Sequence, residues 1–240
     1  MSDDVIVREV EPSGQHQSGV RSNFAFTLIG TLVFSSTKPA AAAGSHNRAS
    51  SLVGPKQHYL ALGDSLAYGL QPNCTTTCTH GYVPDFFKQD LRKDGVKDFL
   101  NLGCPGETST TFINGGKCSY PTPFTSQLAA AVAYLQANAG TVSPVTLDIG
   151  ANVTLGDIDP TTCTINLSQF ATDLATLHVN LTQVILPQLR AALTVNGQLT
   201  GDLVMMNYYD PFQNICPNTV PFIQILMVTQ KVKTPPEHGT

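Results

Sequence analysis

Four short stretches of the chain are apolar at nearly every position rather than at alternate ones: "HYLALG" (58–63), "VKDFLNLG" (96–103), "PVTLDIG" (144–150) and "DLVMMNYYD" (202–210). Unbroken apolar runs of this length mark strands covered on both faces, as in parallel sheets. Between them the apolar period lengthens to that of a helix. "VPDFFKQDLRKD" (83–94) sets Val83, Phe86, Phe87 and Leu91 on one helical face, and "FTSQLAAAVAYLQAN" (124–138) is rich in the helix formers Ala and Leu. "LSQFATDLATLHVNLTQVILPQLRAAL" (167–193) reads as one long amphipathic helix that Pro187 should kink. Strands alternating with helices predict an α/β fold, a three-layer α/β/α sandwich with a parallel central sheet. In such sheets, sites form beyond the carboxyl ends of the strands.

Ahead of these elements the pattern changes. Arg21 precedes the apolar run Phe24 to Phe34, and small residues follow in "STKPAAAAGS", the order of a secretory signal. The run is too short to span a bilayer comfortably, so no stable membrane span is expected. This reading divides the chain into a leader or signal peptide (1–43), a polar linker (44–56) and one domain (57–240), and places the protein outside the cell. Six cysteines in the last of these, an even number, suit an oxidising compartment. Pairing by locality gives Cys74 with Cys78, Cys104 with Cys118, and Cys163 with Cys216. "CTTTC" lacks the second Cys or His pair that a zinc site needs, so no metal is expected.

The 240 residues are 42% apolar and only 12% charged, enough to bury one substantial core. With 13 basic and 17 acidic residues and no basic cluster, the chain lacks the electrostatic footprint of a nucleic-acid binder.

Chemistry is concentrated where the fold places sites. Immediately after three of the four strands come "GDS" (63–65), "GCPGETS" (103–109) and "GAN" (150–152). Together they supply a hydroxyl, a glycine whose backbone can be approached closely, and a side-chain amide, the parts of a nucleophile and an oxyanion hole. Ser65 at a helix start is either that nucleophile, favoured by the helix dipole, or a plain N-cap. Asn152 is an oxyanion donor, a turn residue or, in "NVT", a glycosylation acceptor. Tyr68, Tyr82 and Phe112 stand between acyl-pocket lining and ordinary packing. No Gly-x-Ser-x-Gly elbow surrounds Ser65, which argues against an α/β-hydrolase.

"ALGDSLAYG", "NLGCPGETS" and "LDIGAN" resemble the first, second and third blocks of the GDSL or SGNH hydrolases, serine esterases and lipases, over about residues 57 to 222. The resemblance implies a flavodoxin-like α/β/α fold, Ser65 as nucleophile, and an oxyanion hole from the Ser65 N–H, the Gly106 N–H and the Asn152 side chain. It implies a small-molecule, lipid or carbohydrate ester as substrate and no cofactor. Two positions depart from the family. Val153 stands where an aspartate usually follows the asparagine, and the acid of "GANVTLGD" comes only at Asp157. The C-terminal Asp-x-x-His, source of the general base and its orienter, occurs nowhere in the sequence. His238, with Pro235 in the aspartate's place, and His80 in "CTHGY" are the remaining candidates for the base. The domain is therefore expected to be C-terminally incomplete, and the alternatives to an active esterase are a catalytically impaired or non-catalytic binding module and a fragment lacking its histidine. Oligomeric state is not encoded in any of these features.

Overall fold

The computed structural model describes residues 52–71, 74, 80–207, 211, 212, 214–222 and 224. The expected leader, most of the linker, Cys78 and His238 lie outside the described residues. Each apolar run within them forms a strand: β1 (His58–Gly63), β2 (Asp98–Asn101), β3 (Val142–Asp148) and β4 (Leu203–Met205). All pair in parallel, in the order β2-β1-β3-β4. Chain order therefore reverses between β1 and β3, the switch point at which ligand sites open in such sheets.

The unbroken apolar character of β1 is used on both faces. Leu60 and Leu62 enter a core with Leu128, Leu135, Leu147, Leu181 and Leu189 on one side of the sheet. Tyr59 and Ala61 enter a second core with Ala67, Val83, Phe87 and Leu91 on the other. Two cores, one on each face, make the three-layer α/β/α sandwich. The first is built by α3 (Ser109–Asn114), α4 (Gln127–Ala137) and the long stretch after Leu167; the second by α1 (Ser65–Tyr68) and α2 (Tyr82–Phe86) with its extension to Leu91.

Three elements differ from their sequence expectation in a physically legible way. β3 begins at Val142, before Pro144, because a register shift opposite His58 and Leu60 accommodates the proline that a regular central strand excludes. The helix expected over 83–94 becomes π-helical over Phe87–Leu91. The stretch 167–193 runs as α6 (Leu167–Val179), a π-helical segment (Asn180–Ile185) and α7 (Leu186–Leu193), with Pro187 in the first turn of α7. A widened turn just ahead of a proline takes up the hydrogen bond it cannot donate. Short two-stranded ribbons, Ile158–Asp159 with Thr164–Ile165 and Thr194–Val195 with Gln198–Leu199, decorate the connections.

Segment 53–57 is pinned to the sheet. The Val53 and Gly54 N–H groups donate to the Asp202 carboxylate at 2.9 and 2.8 Å, and the Lys56 N–H donates to Ser143 O at 2.9 Å. Two of the cysteine pairs expected from locality are disulfides, Cys104–Cys118 and Cys163–Cys216. Cys74 is disulfide-bonded as well.

Candidate active site

β1 delivers Gly63 to the carboxyl edge of the sheet at φ +137°, and the chain turns there into α1. The cap of α1 is Asp64, whose Oδ1 accepts from the Leu66 N–H at 3.0 Å. Ser65 is therefore not the N-cap: it is the first helical residue, half-buried, with a hydroxyl the helix does not use. The dipole expected to favour it is small, because α1 has only four residues. Among the described residues the Ser65 N–H makes no backbone hydrogen bond.

The loop after β2 comes to the same edge. Cys104 N–H donates to Gly63 O at 3.1 Å, and Asn101 bonds both sides of the junction, donating to Ala67 O at 2.6 Å and accepting from the Gly103 N–H at 2.9 Å. A side chain on Gly103 would collide with Tyr68 N at 2.4 Å, so α1 lies directly on this loop. Gly106 adopts φ +75°, and like Ser65 its N–H makes no backbone hydrogen bond among the described residues. Glu107 follows, fully buried, and Thr108 caps α3 through a reciprocal bond pair with Thr111.

The third cluster follows β3. Asn152 lies in α5 (Ala151–Thr154), half-buried, and its Nδ2 donates to Glu107 O at 2.9 Å. An amide nitrogen carries two protons, so one fixes the side chain beside Gly106 and the second is left to donate. The carbonyl of Glu107 thus orients Asn152 where Val153 has no acid to do so.

Two buried networks underlie these three segments. In one, Gln127 at the start of α4 accepts from the Gly63 N–H at 2.6 Å and donates to Gly63 O at 2.9 Å. It also donates to Glu107 Oε2 at 3.1 Å, which the Tyr120 hydroxyl approaches at 2.7 Å. Burial, and then its bond to Glu107, push the Tyr120 hydroxyl well above the ordinary tyrosine range, so Tyr120 stays neutral and donates. In the other, the Asp64 N–H meets Asp148 O at 3.0 Å and Asp148 Oδ1 at 3.2 Å. Burial, reinforced by the nearby Asp64 carboxylate, raises the Asp148 carboxyl well above the usual range.

The histidines are less favourably placed. His58 Nδ1 is 2.6 Å from Asp98 Oδ1 at the opposite end of β1, and His178 is exposed on α6. His80 is exposed, with Nδ1 4.0 Å from Asp85 Oδ1. It adjoins Gly81, where a Cβ would lie 2.9 Å from Gly69 Cα, so its loop rests against the end of α1. Phe112 belongs to the core and the Tyr82 hydroxyl is buried. Gln127 and Tyr120 lie outside the motifs, and Asn101 and Asp148 lie within them without a signal of their own roles.

No family model matches the sequence, and no curated protein does. Solved structures do. A lipase from a goat rumen metagenome, Lip_vut3, superposes with a TM-score of 0.55 at 15% identity, over 75% of this chain and 78% of the lipase. Phospholipase A1 from Streptomyces albidoflavus NA297 gives a TM-score of 0.40 at 13% identity, over 73% and 75%. AlinE4, an SGNH-hydrolase family esterase, gives 0.30 at 18%, over 78% and 84%. At these identities the likeness is one of fold, and the goat rumen lipase carries it: the chain shares that lipase's α/β architecture.

Proposed function

We propose that this chain is a serine ester hydrolase in which Ser65 is the nucleophile and the Ser65 N–H, the Gly106 N–H and Asn152 Nδ2 form the oxyanion hole. The observation that carries the reading is the bond from Asn152 Nδ2 to Glu107 O, which joins the segment after β3 to the residue next to Gly106, on a loop itself bonded to the Ser65 turn. On this reading the segments after three separate strands supply the donors for one hydroxyl.

In this mechanism Ser65 Oγ bonds to the ester carbonyl carbon, its proton passing to a base, and the carbonyl oxygen takes up negative charge. The three donors hold that oxyanion, and removing one costs on the order of a hundred- to a thousandfold in rate. The carbon–oxygen bond to the alcohol then breaks as the base returns its proton to the leaving oxygen. Water attacks the acyl-Ser65 ester by the same steps and releases the acid. The candidates for the base are His80 and His238; no cofactor enters. The substrate is a small-molecule, lipid or acetylated-sugar ester. Disulfides and the leader pattern support action outside the cell, and among the described residues no helix is long and apolar enough to cross a membrane.

A second reading, a non-catalytic binding module on the same fold, is favoured by the lack of any Asp-x-x-His in the sequence. A fluorophosphonate probe separates the two. The esterase reading expects covalent label on Ser65, located by peptide mass spectrometry, together with hydrolysis of p-nitrophenyl acetate that Ser65→Ala abolishes. Equal hydrolysis by Ser65→Ala removes Ser65 from the chemistry, and an unlabelled Ser65 favours the binding module.

A further inference from the structure

The Gln127 side chain is fully buried, and each of its polar atoms is used by a piece of the candidate site rather than by α4. Its oxygen takes the Gly63 N–H; of its two N–H protons one goes to Gly63 O and the other to Glu107 Oε2, shared with the Tyr120 oxygen 3.1 Å away. The orientation of the amide is chemically forced, because the reverse one would set its oxygen against a carbonyl and a carboxylate and its NH2 against an N–H. Gly63 is two residues from Ser65, and Glu107 adjoins Gly106 and holds Asn152 through its own carbonyl. One side-chain amide therefore touches the supports of all three oxyanion donors.

We infer that Gln127 is a positioning residue that locks the nucleophile turn and the oxyanion loop in mutual register. This rests on the esterase reading above. The backbone bonds that join the two segments, Leu102 to Ala61 and Cys104 to Gly63, lie ahead of Gly106, and among the described residues none runs from the nucleophile turn to Gly106 or Glu107. Gln127 adds two contacts on Gly63 and one on Glu107, which ties the turn to the far side of the loop, and Tyr120 bonds the same Glu107 oxygen. A misplacement of about 1 Å at a reacting centre costs on the order of a hundredfold in rate. Donors displaced from the oxyanion act on the transition state and leave ground-state binding nearly unchanged.

The test compares wild type, Gln127→Leu and Gln127→Glu in the full chain, reading the fluorophosphonate labelling rate of Ser65, kcat and KM on p-nitrophenyl acetate, and Tm. Gln127→Leu should lower labelling rate and kcat about a hundredfold with KM within about twofold of wild type. Gln127→Glu keeps the shape but has lost the donor, and regains it only when its carboxyl is protonated. Its labelling rate relative to wild type at the same pH should be low near about pH 8 and recover toward about pH 5. A purely structural role would lower Tm without this pH-dependent recovery. If Gln127→Leu does not fold, the Gln127→Glu profile decides alone. Wild-type labelling rates in both folded variants, or in Gln127→Glu at every pH, overturn the positioning role and leave the esterase reading standing. An unlabelled Ser65 in wild type overturns that reading and the positioning role with it.

Discussion

Gly63 is held where a Cβ would fall 1.5 Å from Asp148 Oδ1 and 2.1 Å from Asp148 O, at a φ of +137° that other residues rarely adopt. The second is backbone of the neighbouring strand and the first is a buried side-chain oxygen held by the Asp64 N–H, so no small shift relieves them. Gly63→Ala should cost more than about 3 kcal/mol, measurable as a lowered urea midpoint, and folded survivors should label poorly at Ser65. Gly106 contrasts with it. There a Cβ would meet only Lys117, whose Cε and Nζ lie 2.8 and 3.0 Å away at the end of a flexible chain, so its requirement is the positive φ. Ser65, Gly106 and Asn152 were legible because each stands just past an apolar run in a cluster of small polar residues. Gln127 and Asp148 were not, because what matters for each is contacts with residues far along the chain.

At the scale of elements, the strands were readable because burial on both faces leaves an unbroken apolar run, while their ends were set by what the runs pair with. "DFLN" begins with β1, Asp98 opposite His58, and ends with Asn101 opposite Ala61, before β1 itself ends at Gly63. The π-helical turns were not readable, since one widened turn shifts the apolar period too little to show in so short a stretch. Cysteine pairing by locality gave both disulfides described in full, and these divide between site and scaffold. Cys104–Cys118 spans 14 residues and closes the loop that carries Gly106; Cys163–Cys216 spans 53 and ties the connection after α5 to the segment beyond β4. Loop-closure entropy assigns about 3 kcal/mol to the shorter and about 4 kcal/mol to the longer. Replacing Cys163 and Cys216 by serine should therefore lower the denaturation midpoint more than replacing Cys104 and Cys118. The labelling rate of Ser65 should show the reverse order, and a variant pair with the same ranking in both measurements would contradict this division.

For the whole molecule, the buried pair behind the nucleophile turn couples folding to pH. Asp64 and Asp148 are both almost fully buried, and no lysine or arginine forms an ion pair with Asp148 among the described residues. Backbone groups of Gly63 and Asp64 approach the Asp148 carboxyl from β1 and α1, with the Asp64 carboxylate beside them. Tyr59 and Tyr82, whose hydroxyls are buried, are raised above the ordinary tyrosine range by burial and stay neutral, so they bring no compensating charge. The folded state keeps the Asp148 proton at pH values where the unfolded chain has released it. Its contribution to stability is therefore whole below the ordinary carboxylate pKa of about 4 and is lost as pH rises through the raised folded value. Asp148→Asn keeps an oxygen to accept the Asp64 N–H and has no proton to lose. Urea titrations of the two proteins should coincide near about pH 3 and separate as pH rises, with the asparagine variant the more stable near about pH 8. A difference that stays constant across that range would mean the substitution acts through packing, and that Asp148 is not the group that links folding to pH.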